Sequence, residues 1–468
     1  MVSNSVISPE ERNIDYIPRN ERHGKARSLF TLWFGANLQV TTIAAGGTCV
    51  AVGLSLPWAL LACLIGHLVG AVFMALHSSQ DPVLGIPQMI QSRAQFGYYG
   101  AIIPVVLVVL MYVGFFAVTG VQGGAALSSM TNVDLTSSTV IVTIITILVT
   151  IFGYKLAHFA QRWLSLINGI AFIYLSYKLM ANPGFTSLWV LDSFSWKAFS
   201  FAVAICATWQ LAYAPYVADF SRYLPEDTNF TATYWYTYLG SVFSSLWMFA
   251  IGAICVCYSA STFDGGSIEF LINQADGNHW FFYLVVVSGV IAINSMNLYG
   301  MFMSVITTLH SFWQFKVSGA VRITHLVTLA AASTALGLMG QGDFLQNFMN
   351  LIFVIAYLII PWTAINLADF FLIRKEQYVV EEFFNPTGEY GGIDWRAMIP
   401  FFLGVAVEVP FISSDFFVGP AAALIGGADI SWVFGLLVSG GLYVTLMRQF
   451  PIRAAYPPVE PWSLEQAS

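Results

Sequence analysis

Long runs of apolar residues alternate along the chain with short breaks that are polar or rich in Gly and Pro. A helix needs about 20 mainly apolar residues to cross the hydrocarbon core of a bilayer. The pattern therefore predicts an all-α integral membrane protein with about twelve transmembrane helices. The predicted segments are 29–52, 57–77, 98–128, 138–154, 161–180, 197–217, 234–258, 280–309, 320–339, 344–373, 397–412 and 431–448.

The composition agrees with this prediction. Of 468 residues, 57% are hydrophobic and only 9% are charged, whereas about one quarter of the residues in soluble domains are charged. A water-soluble fold is therefore excluded. We expect one membrane domain over residues 29–448, between a polar N-terminal tail at 1–28 and a C-terminal tail at 449–468.

The basic residues predict the orientation of the chain. Sixteen of the 18 Lys and Arg residues fall in the two tails and in alternate loops, and Lys and Arg in short loops stay on the cytoplasmic side. The two exceptions are Lys178 and Lys197. We expect a multi-pass protein of the plasma (cell inner) membrane with both termini in the cytoplasm and without a cleavable signal peptide.

Several classes of function are disfavoured. The net charge of −7 is spread over loops and tails, so nucleic acid is not a predicted partner. All five cysteines lie in apolar segments, where we expect them to serve packing, and Cys255 and Cys257 lack the spacing of a zinc site. The sequence shows no catalytic cluster, phosphate-binding loop or repeated pore-lining ring. We therefore expect neither an enzyme nor a channel, and no bound cofactor.

Two of the apolar segments contain polar residues that interrupt them. The first carries Gly35–Thr42, with an Asn, a Gln and two Thr, followed by Gly46 and Gly47; the sixth carries Trp209–Tyr216 with a proline at 215. Proline removes a backbone donor and disfavours helix at the residue before it. Each segment alone is equally consistent with a simple kink. Together, five segments apart, they predict two inverted five-helix repeats with a binding site between them.

The residues around these breaks resemble a known family. Tyr213–Pro225 resembles the PYxADxSRYLP signature of purine and cytosine permeases in the nucleobase:cation symporter-1 family, and Trp33–Leu38 resembles the WFxANL pattern of its first helix. Further similar stretches cover nearly the whole chain in the family's order: Phe96–Ala101, Asn297–Tyr299, Pro361–Phe370, Phe384–Pro386 and Gly426–Trp432.

The resemblance implies a LeuT-type architecture. Residues 29–180 and 197–373 would form the two inverted repeats, and residues 397–448 would form two additional helices. The family carries nucleobases and related heterocycles inward by alternating access, driven by a proton or sodium gradient. The expected partners are a small nucleobase and membrane lipid, and the expected state is a monomer or weak homo-oligomer.

The family positions also imply a set of substrate-binding residues. A nucleobase is flat and uncharged near pH 7, so aromatic faces hold its plane while amides and hydroxyls read its edge. Each polar member is alternatively an interhelical hydrogen-bonding residue, which is common in membrane proteins. The predicted rings are Phe115 and Tyr213, with Trp209 as an alternative, and the predicted edge readers are Gln39, Thr119, Gln210, Asn294 and Asn297.

The coupling ion is predicted from two residues of the eighth segment that differ from the pattern of sodium-coupled relatives. Sodium-coupled relatives place hydroxyls where this chain has Ala292 and Ile293, and these cannot supply the oxygen ligands that a hard cation needs. Proton coupling is therefore preferred. If sodium is used, Ser295 with the carbonyls of Gly35 and Leu38 are the candidate ligands.

Proton coupling requires a titratable group, and intramembrane ionisable residues are the first candidates. Glu408 lies among apolar residues of the eleventh segment, where a structural role or an oligomer contact is the competing interpretation. Asp219 and Arg222 either form a gate or a simple helix-end ion pair. The alternative function is sodium-coupled transport of another heterocycle, hydantoin-like or allantoin-like, or of an amino acid on the same fold.

Overall fold

The fold is known from a computed structural model that describes residues 14–151, 154–259, 267–313, 315–340, 344–414 and 416–451. The outer parts of both predicted tails, residues 1–13 and 452–468, lie outside the described residues. The described part of the chain is helical, apart from one isolated antiparallel bridge between Ser413 and Val418.

Eighteen α-helices follow one another along the described residues. They are α1 (Arg27–Ala36), α2 (Val40–Ala51), α3 (Leu56–Ser78), α4 (Asp81–Leu84), α5 (Gln88–Phe96), α6 (Ile102–Thr131), α7 (Leu135–Ile151), α8 (Tyr154–Met180), α9 (Trp196–Leu211), α10 (Val217–Ser221), α11 (Phe230–Tyr258), α12 (Ser267–Asn273), α13 (His279–His310), α14 (Gly319–Met339), α15 (Phe344–Ala368), α16 (Trp395–Glu408), α17 (Pro420–Leu424) and α18 (Ser431–Gln449).

Each of the twelve predicted segments coincides with a helix or with a pair of shorter helices. Eight helices in the described part of the chain are long and apolar enough to cross a membrane. The remaining four segments contain shorter helices. The first segment divides into α1 and α2, and the sixth divides into α9 and α10. The fourth and eleventh segments contain α7 and α16, which have only 17 and 14 residues. The predicted all-helical membrane fold is confirmed.

Small residues allow the helices around the first break to pack closely. A Cβ atom added to Gly46 of α2 would lie 2.3 Å from the Cα of Phe249 in α11. A Cβ on Gly252, one turn further along α11, would lie 2.8 Å from the backbone nitrogen of Gly47. Close approach through glycines is a common way for helices to associate in membranes. The pair Gly46 and Gly47 therefore lies within a continuous helix and serves packing.

Polar residues between α3 and α6 form two short buried helices that the hydrophobic pattern does not reveal. Gln80, Gln88, Gln91, Arg93 and Gln95 are all at most 2% exposed. Two of them have partners in a remote segment, since Gln80 Nε2 donates to Asn366 and Gln95 Nε2 donates to Asp369, each at 2.9 Å. These contacts tie α4 and α5 to the end of α15.

Candidate functional site

The first helix break is short and is capped by its own residues. α1 ends at Ala36, and Gln39 has an extended backbone with φ −149° and ψ 160°. The Gln39 side chain accepts a hydrogen bond from the backbone nitrogen of Thr41 at 3.0 Å, which caps the N-terminus of α2. The predicted interruption is therefore present, but it spans only residues 37–39.

The second break is longer. α9 ends at Leu211, residues 212–216 form turns, and α10 begins at Val217. Pro215 explains the interruption, since its ring excludes a helical hydrogen bond at this point. Tyr216 at the start of α10 has φ −144° and ψ 0°. Both segments that the sequence predicts to be broken are broken.

Asn37 connects the two breaks. Its Oδ1 accepts hydrogen bonds from Trp209 Nε1 at 2.8 Å and from the Tyr213 hydroxyl at 3.0 Å. Its Nδ2 donates to the Trp33 carbonyl at 3.2 Å and to the Ser244 hydroxyl at 3.1 Å. The amide is fully buried, and both of its polar atoms are satisfied, as a buried polar group requires.

Aromatic rings surround this junction. Phe115 of α6 meets Trp209 edge to face, with ring centroids 6.2 Å apart. Trp33 of α1 lies 5.4 Å from Tyr213, and Trp209 lies 5.6 Å from Phe249 of α11. The structure thus brings the three predicted rings, Phe115, Trp209 and Tyr213, to the junction of the two breaks.

Side-chain amides and hydroxyls of α2, α6 and α13 form hydrogen bonds between these helices. Thr41 donates to the side chains of Gln122 and Thr119, the latter at 3.4 Å. Asn294 Nδ2 donates to the carbonyl of Phe116 at 3.1 Å, and Asn297 Nδ2 donates to Asn294 Oδ1 at 3.1 Å. Thr119, Asn294 and Asn297 are therefore brought together along α6 and α13.

Gln39 also approaches α13. Its Cβ lies 3.6 Å from the position that a Cβ on Gly289 would occupy. Asn294 follows Gly289 by five residues, which is about 1.4 helical turns and a rotation of about 140° around α13, so Gln39 meets α13 on a different side from Asn294.

Gln210 lies in a different cluster from the other predicted edge readers. Its Nε2 approaches His67 Nδ1 at 3.1 Å and donates to the Ser245 hydroxyl at 2.8 Å. Its Oε1 accepts from the Ser241 hydroxyl at 2.6 Å. These partners belong to α3 and α11, so this contact pattern is that of an interhelical hydrogen-bonding residue. Adjacent residues on a helix point about 100° apart, which separates Gln210 from Trp209.

The candidate sodium ligands are engaged in other contacts. The Gly35 carbonyl accepts from Leu38 N at 3.0 Å, and the Ser295 hydroxyl donates to a carbonyl of its own helix at 2.7 Å. The Leu38 carbonyl accepts a hydrogen bond from Asn168 Nδ2 at 3.5 Å, and a Cβ on Gly289 would lie 3.0 Å from that oxygen. Asn168 of α8 is thus the side chain that meets the first break at the predicted cation position.

Glu408 is buried between α16 and α18. Neither carboxyl oxygen has a hydrogen-bond partner among the described residues, and a Cβ on Gly435 of α18 would lie 1.6 Å from Glu408 Oε1. The nearby Asp429 accepts a hydrogen bond from the Tyr357 hydroxyl at 3.1 Å, and burial raises the pKa of Asp429. Because Glu408 is fully buried within one chain, it does not supply an oligomer contact in this conformation.

Asp219 and Arg222 lie buried on the far side of the second break. Asp219 accepts a hydrogen bond from the backbone nitrogen of Gln88 at 2.7 Å, and Arg222 donates to the Tyr299 hydroxyl at 3.1 Å and the Tyr223 hydroxyl at 3.3 Å. They join α10 to α5 and α13. These hydrogen bonds between helices are compatible with the predicted gate.

Asn37 and Asn168 are not among the site residues that the sequence predicts. The sequence marks Asn37 only by its place in the motif Trp33–Leu38 and in the first polar break, and the two groups that donate to its Oδ1 lie more than 170 residues away. Asn168 is one of several polar residues in the fifth predicted segment, and no motif marks it.

A helical membrane domain whose first and sixth segments break beside a cluster of rings and amides defines a transporter of the inverted-repeat class. A solved structure of Mhp1, a nucleobase-cation-symport-1 family transporter in a closed conformation with bromovinylhydantoin bound, has the same fold. The two structures align with a TM-score of 0.77 and 18% sequence identity, and the alignment covers 96% of this chain and 98% of the Mhp1 chain.

Sequence comparison assigns the family. The family model described as permease for cytosine/purines, uracil, thiamine, allantoin matches residues 16–435. YxlA of Bacillus subtilis, named among the purine-cytosine permeases, is 43% identical over 96% of this chain and 98% of its own length. The purine-cytosine permease fcyB of Emericella nidulans is 26% identical over 96% of this chain and 90% of its own length. The chain belongs to the nucleobase:cation symporter-1 family of permeases, which confirms the predicted resemblance and a transporter rather than an enzyme.

Proposed function

We propose that this protein imports a nucleobase, a purine or cytosine or both, by proton-coupled symport through alternating access. The observation that carries the proposal is the junction at Asn37, where two broken helices place Trp209 and Tyr213 beside a buried amide. The names of the relatives YxlA and fcyB support a purine or cytosine substrate.

The chemistry of the junction suits a flat, uncharged ring. Phe115, Trp209 and Tyr213 offer aromatic faces, while Asn294 and Asn297 offer both donors and acceptors. The polar residues of the set are at most 4% exposed. A substrate held here would be shielded from water, which strengthens its hydrogen bonds.

Two contacts support protons over sodium as the coupling ion. Asn168 Nδ2 donates to the Leu38 carbonyl at 3.5 Å, and a donor group beside that oxygen opposes a cation there. The Ser295 hydroxyl is turned toward its own helix. A hard cation needs several oxygen ligands that converge on one point, so these contacts favour a site without sodium.

Glu408 is the candidate proton carrier. Burying an ionised carboxylate without partners is costly, so its orphan carboxyl is stable in the buried position chiefly in its neutral form. A conformation that admits water to α16 would allow the proton to leave. The proposed localisation remains the cell inner membrane, with both termini in the cytoplasm.

The test is uptake of labelled cytosine and adenine into vesicles that contain the purified protein. We expect saturable uptake that each unlabelled base competes for, that a protonophore abolishes and that removal of sodium leaves unchanged. Trp209→Leu should abolish uptake, Trp209→Phe should retain part of it because an aromatic face remains, and the exposed-tryptophan control Trp280→Leu should match the wild type. Uptake of neither base would refute the substrate assignment, and dependence on sodium would refute the proton assignment.

A further inference from the structure

Three of the five cysteines meet in one buried cluster. Cys49 lies on α2, Cys63 on α3 and Cys206 on α9, and their three sulfur atoms all lie within 4.8 Å of one another. The sulfur atoms of Cys49 and Cys206 are 3.9 Å apart. We call these three side chains the thiol triad. Their positions in the sequence, in separate apolar segments, give no indication that they meet.

Close helix packing brings the sulfur atoms together. A Cβ on Gly66, which lies one turn beyond Cys63 on α3, would stand 2.5 Å from the Cβ of Cys206. A Cβ on Gly70, one turn further, would stand 2.4 Å from the Ala207 carbonyl. The two helices are therefore nearly in backbone contact at this level, and α2 supplies the third thiol from the adjacent side.

The spacing of the triad fits a single thiophilic ion. Three sulfurs bound about 2.3 Å from one central atom are about 4 Å apart when that atom lies in their plane, and closer together when it lies above the plane as the apex of a pyramid. The sulfur atoms of Cys49 and Cys206 are 3.9 Å apart, so only a small approach of the thiols is needed to bind one ion. Thiolates select soft ions. Each cysteine of the triad is at most 1% exposed, so a hard, strongly hydrated ion is disfavoured.

The apolar surroundings also select the charge of the ion. All three cysteines belong to the main hydrophobic core, where an uncompensated charge is costly. Three thiolates carry three negative charges, which a trivalent ion cancels and a monovalent or divalent ion does not. A trivalent soft element forms the only uncharged complex among these.

We propose that the thiol triad is a binding site for trivalent arsenic. Arsenous acid, As(OH)3, is small and uncharged near neutral pH, so it can reach a buried site without carrying charge into the membrane. The reaction is As(OH)3 + 3 Cys–SH → As(S–Cys)3 + 3 H2O. Three As–O bonds break, three As–S bonds form, and each thiol proton leaves with a hydroxide as water. No oxidant or reductant takes part.

Occupation of the site would affect transport because of its position. α2 begins at the first break and α9 ends at the second, so an arsenic atom bound by the triad would fix these two half-helices to each other and to α3. Alternating access requires such elements to rearrange. Arsenite is therefore expected to inhibit transport, a consequence that rests on the proposed function, whereas binding itself does not.

The test is intact-protein mass spectrometry of the full chain, purified in detergent, reduced, incubated with arsenite and desalted. The wild type should gain the mass of one arsenic less three hydrogens. Cys49→Ala, Cys63→Ala and Cys206→Ala should each lose this adduct, or retain arsenic only with one remaining hydroxyl. The controls Cys255→Ala and Cys257→Ala should keep the three-thiolate adduct, since these residues lie outside the triad.

Gel filtration identifies any variant that fails to fold, and the corresponding Cys→Ser variant then replaces it. No adduct on the wild type, a three-thiolate adduct on a triad variant, or its loss from both controls would overturn the proposal. Arsenite should also abolish substrate uptake by the wild type but not by an active triad variant that carries no arsenic adduct. Binding without inhibition would refute only the effect on transport, and absence of uptake in all samples would count against the proposed function alone.

Discussion

Asn37 uses its full hydrogen-bonding capacity to hold the two breaks together. An amide oxygen accepts two hydrogen bonds and an amide nitrogen donates two, and Asn37 Oδ1 receives both of its bonds from the second broken segment. A substrate that binds beside Trp209 and Tyr213 must therefore accommodate or replace these bonds. This links recognition of the ring to the relative position of the two broken helices.

Replacement of Asn37 by Ala should impair both stability and uptake. Trp209 Nε1 and the Tyr213 hydroxyl would lose their acceptor, and a buried donor without an acceptor costs about 1–3 kcal/mol. We expect a lower melting temperature in detergent and loss of nucleobase uptake. Asn273→Ala, at an exposed position, is the control and should match the wild type. Normal uptake by Asn37→Ala would contradict a role for this junction.

The site shows how far single residues can be predicted from sequence. Trp209 and Gln210 are adjacent in the sequence, both carry a polar group, and both are predicted to bind substrate. In the structure Trp209 lies at the junction, whereas Gln210 bonds to α3 and α11. The difference depends on the rotation of α9 about its axis, which remote packing determines. Asn37 could be predicted only as part of a motif, because its contacts join positions far apart in the chain.

The helices themselves were predictable because the bilayer imposes their length and polarity. The breaks near Asn37 and Pro215 were predictable because proline and clustered polar residues oppose a continuous apolar helix. α4 and α5 were not predictable, since a polar run such as residues 78–97 is typical of a solvated loop. Its burial is explained by contacts with α10 and α15. Proline does not always interrupt a helix, since α15 continues through Pro361.

The crossing of α2 and α11 provides a test at the level of helices. A Cβ on Gly46 would lie 2.3 Å from backbone atoms of Phe249, so Gly46→Ala must separate the two helices, at a cost of about 1–3 kcal/mol. Gly441→Ala is the matched control, because no atom lies within 4 Å of its added Cβ, and Ala in a helix is favoured over Gly by about 0.5–1 kcal/mol. Thermal unfolding in detergent should show a lower midpoint for the first variant only. Equal midpoints would contradict the close crossing.

The orientation of the whole molecule is a separate prediction. Thr186, between α8 and α9, and Gln377, between α15 and α16, are both exposed and fall in loops predicted to lie on opposite sides of the membrane. A membrane-impermeant maleimide applied to intact cells should label Thr186→Cys but not Gln377→Cys, and permeabilisation should expose the second. The wild type should stay nearly unlabelled, because four of its five cysteines are buried. The reverse labelling pattern would refute cytoplasmic termini.

Energy coupling belongs to the whole molecule, because in the proposed symport the proton and the substrate cross together. One proton moving down a pH difference of one unit releases about 1.4 kcal/mol, enough to hold about a tenfold concentration ratio of substrate. Vesicles that contain the wild type should therefore accumulate labelled base under an inward proton gradient in sodium-free medium. They should reach only equilibration when the gradient is dissipated.

Glu408→Gln should separate accumulation from exchange. The amide has nearly the same size as the carboxyl and fits against Gly435, but it cannot carry a proton. We expect the variant to exchange labelled for unlabelled base across the vesicle membrane while failing to accumulate it under a proton gradient. The control Glu226→Gln, at an exposed ion pair with Arg19, should accumulate as the wild type does. Accumulation by Glu408→Gln would show that the proton travels through another group. Loss of both accumulation and exchange would indicate that the Glu408 carboxyl supports the packing of α16 against α18 and not the coupling step.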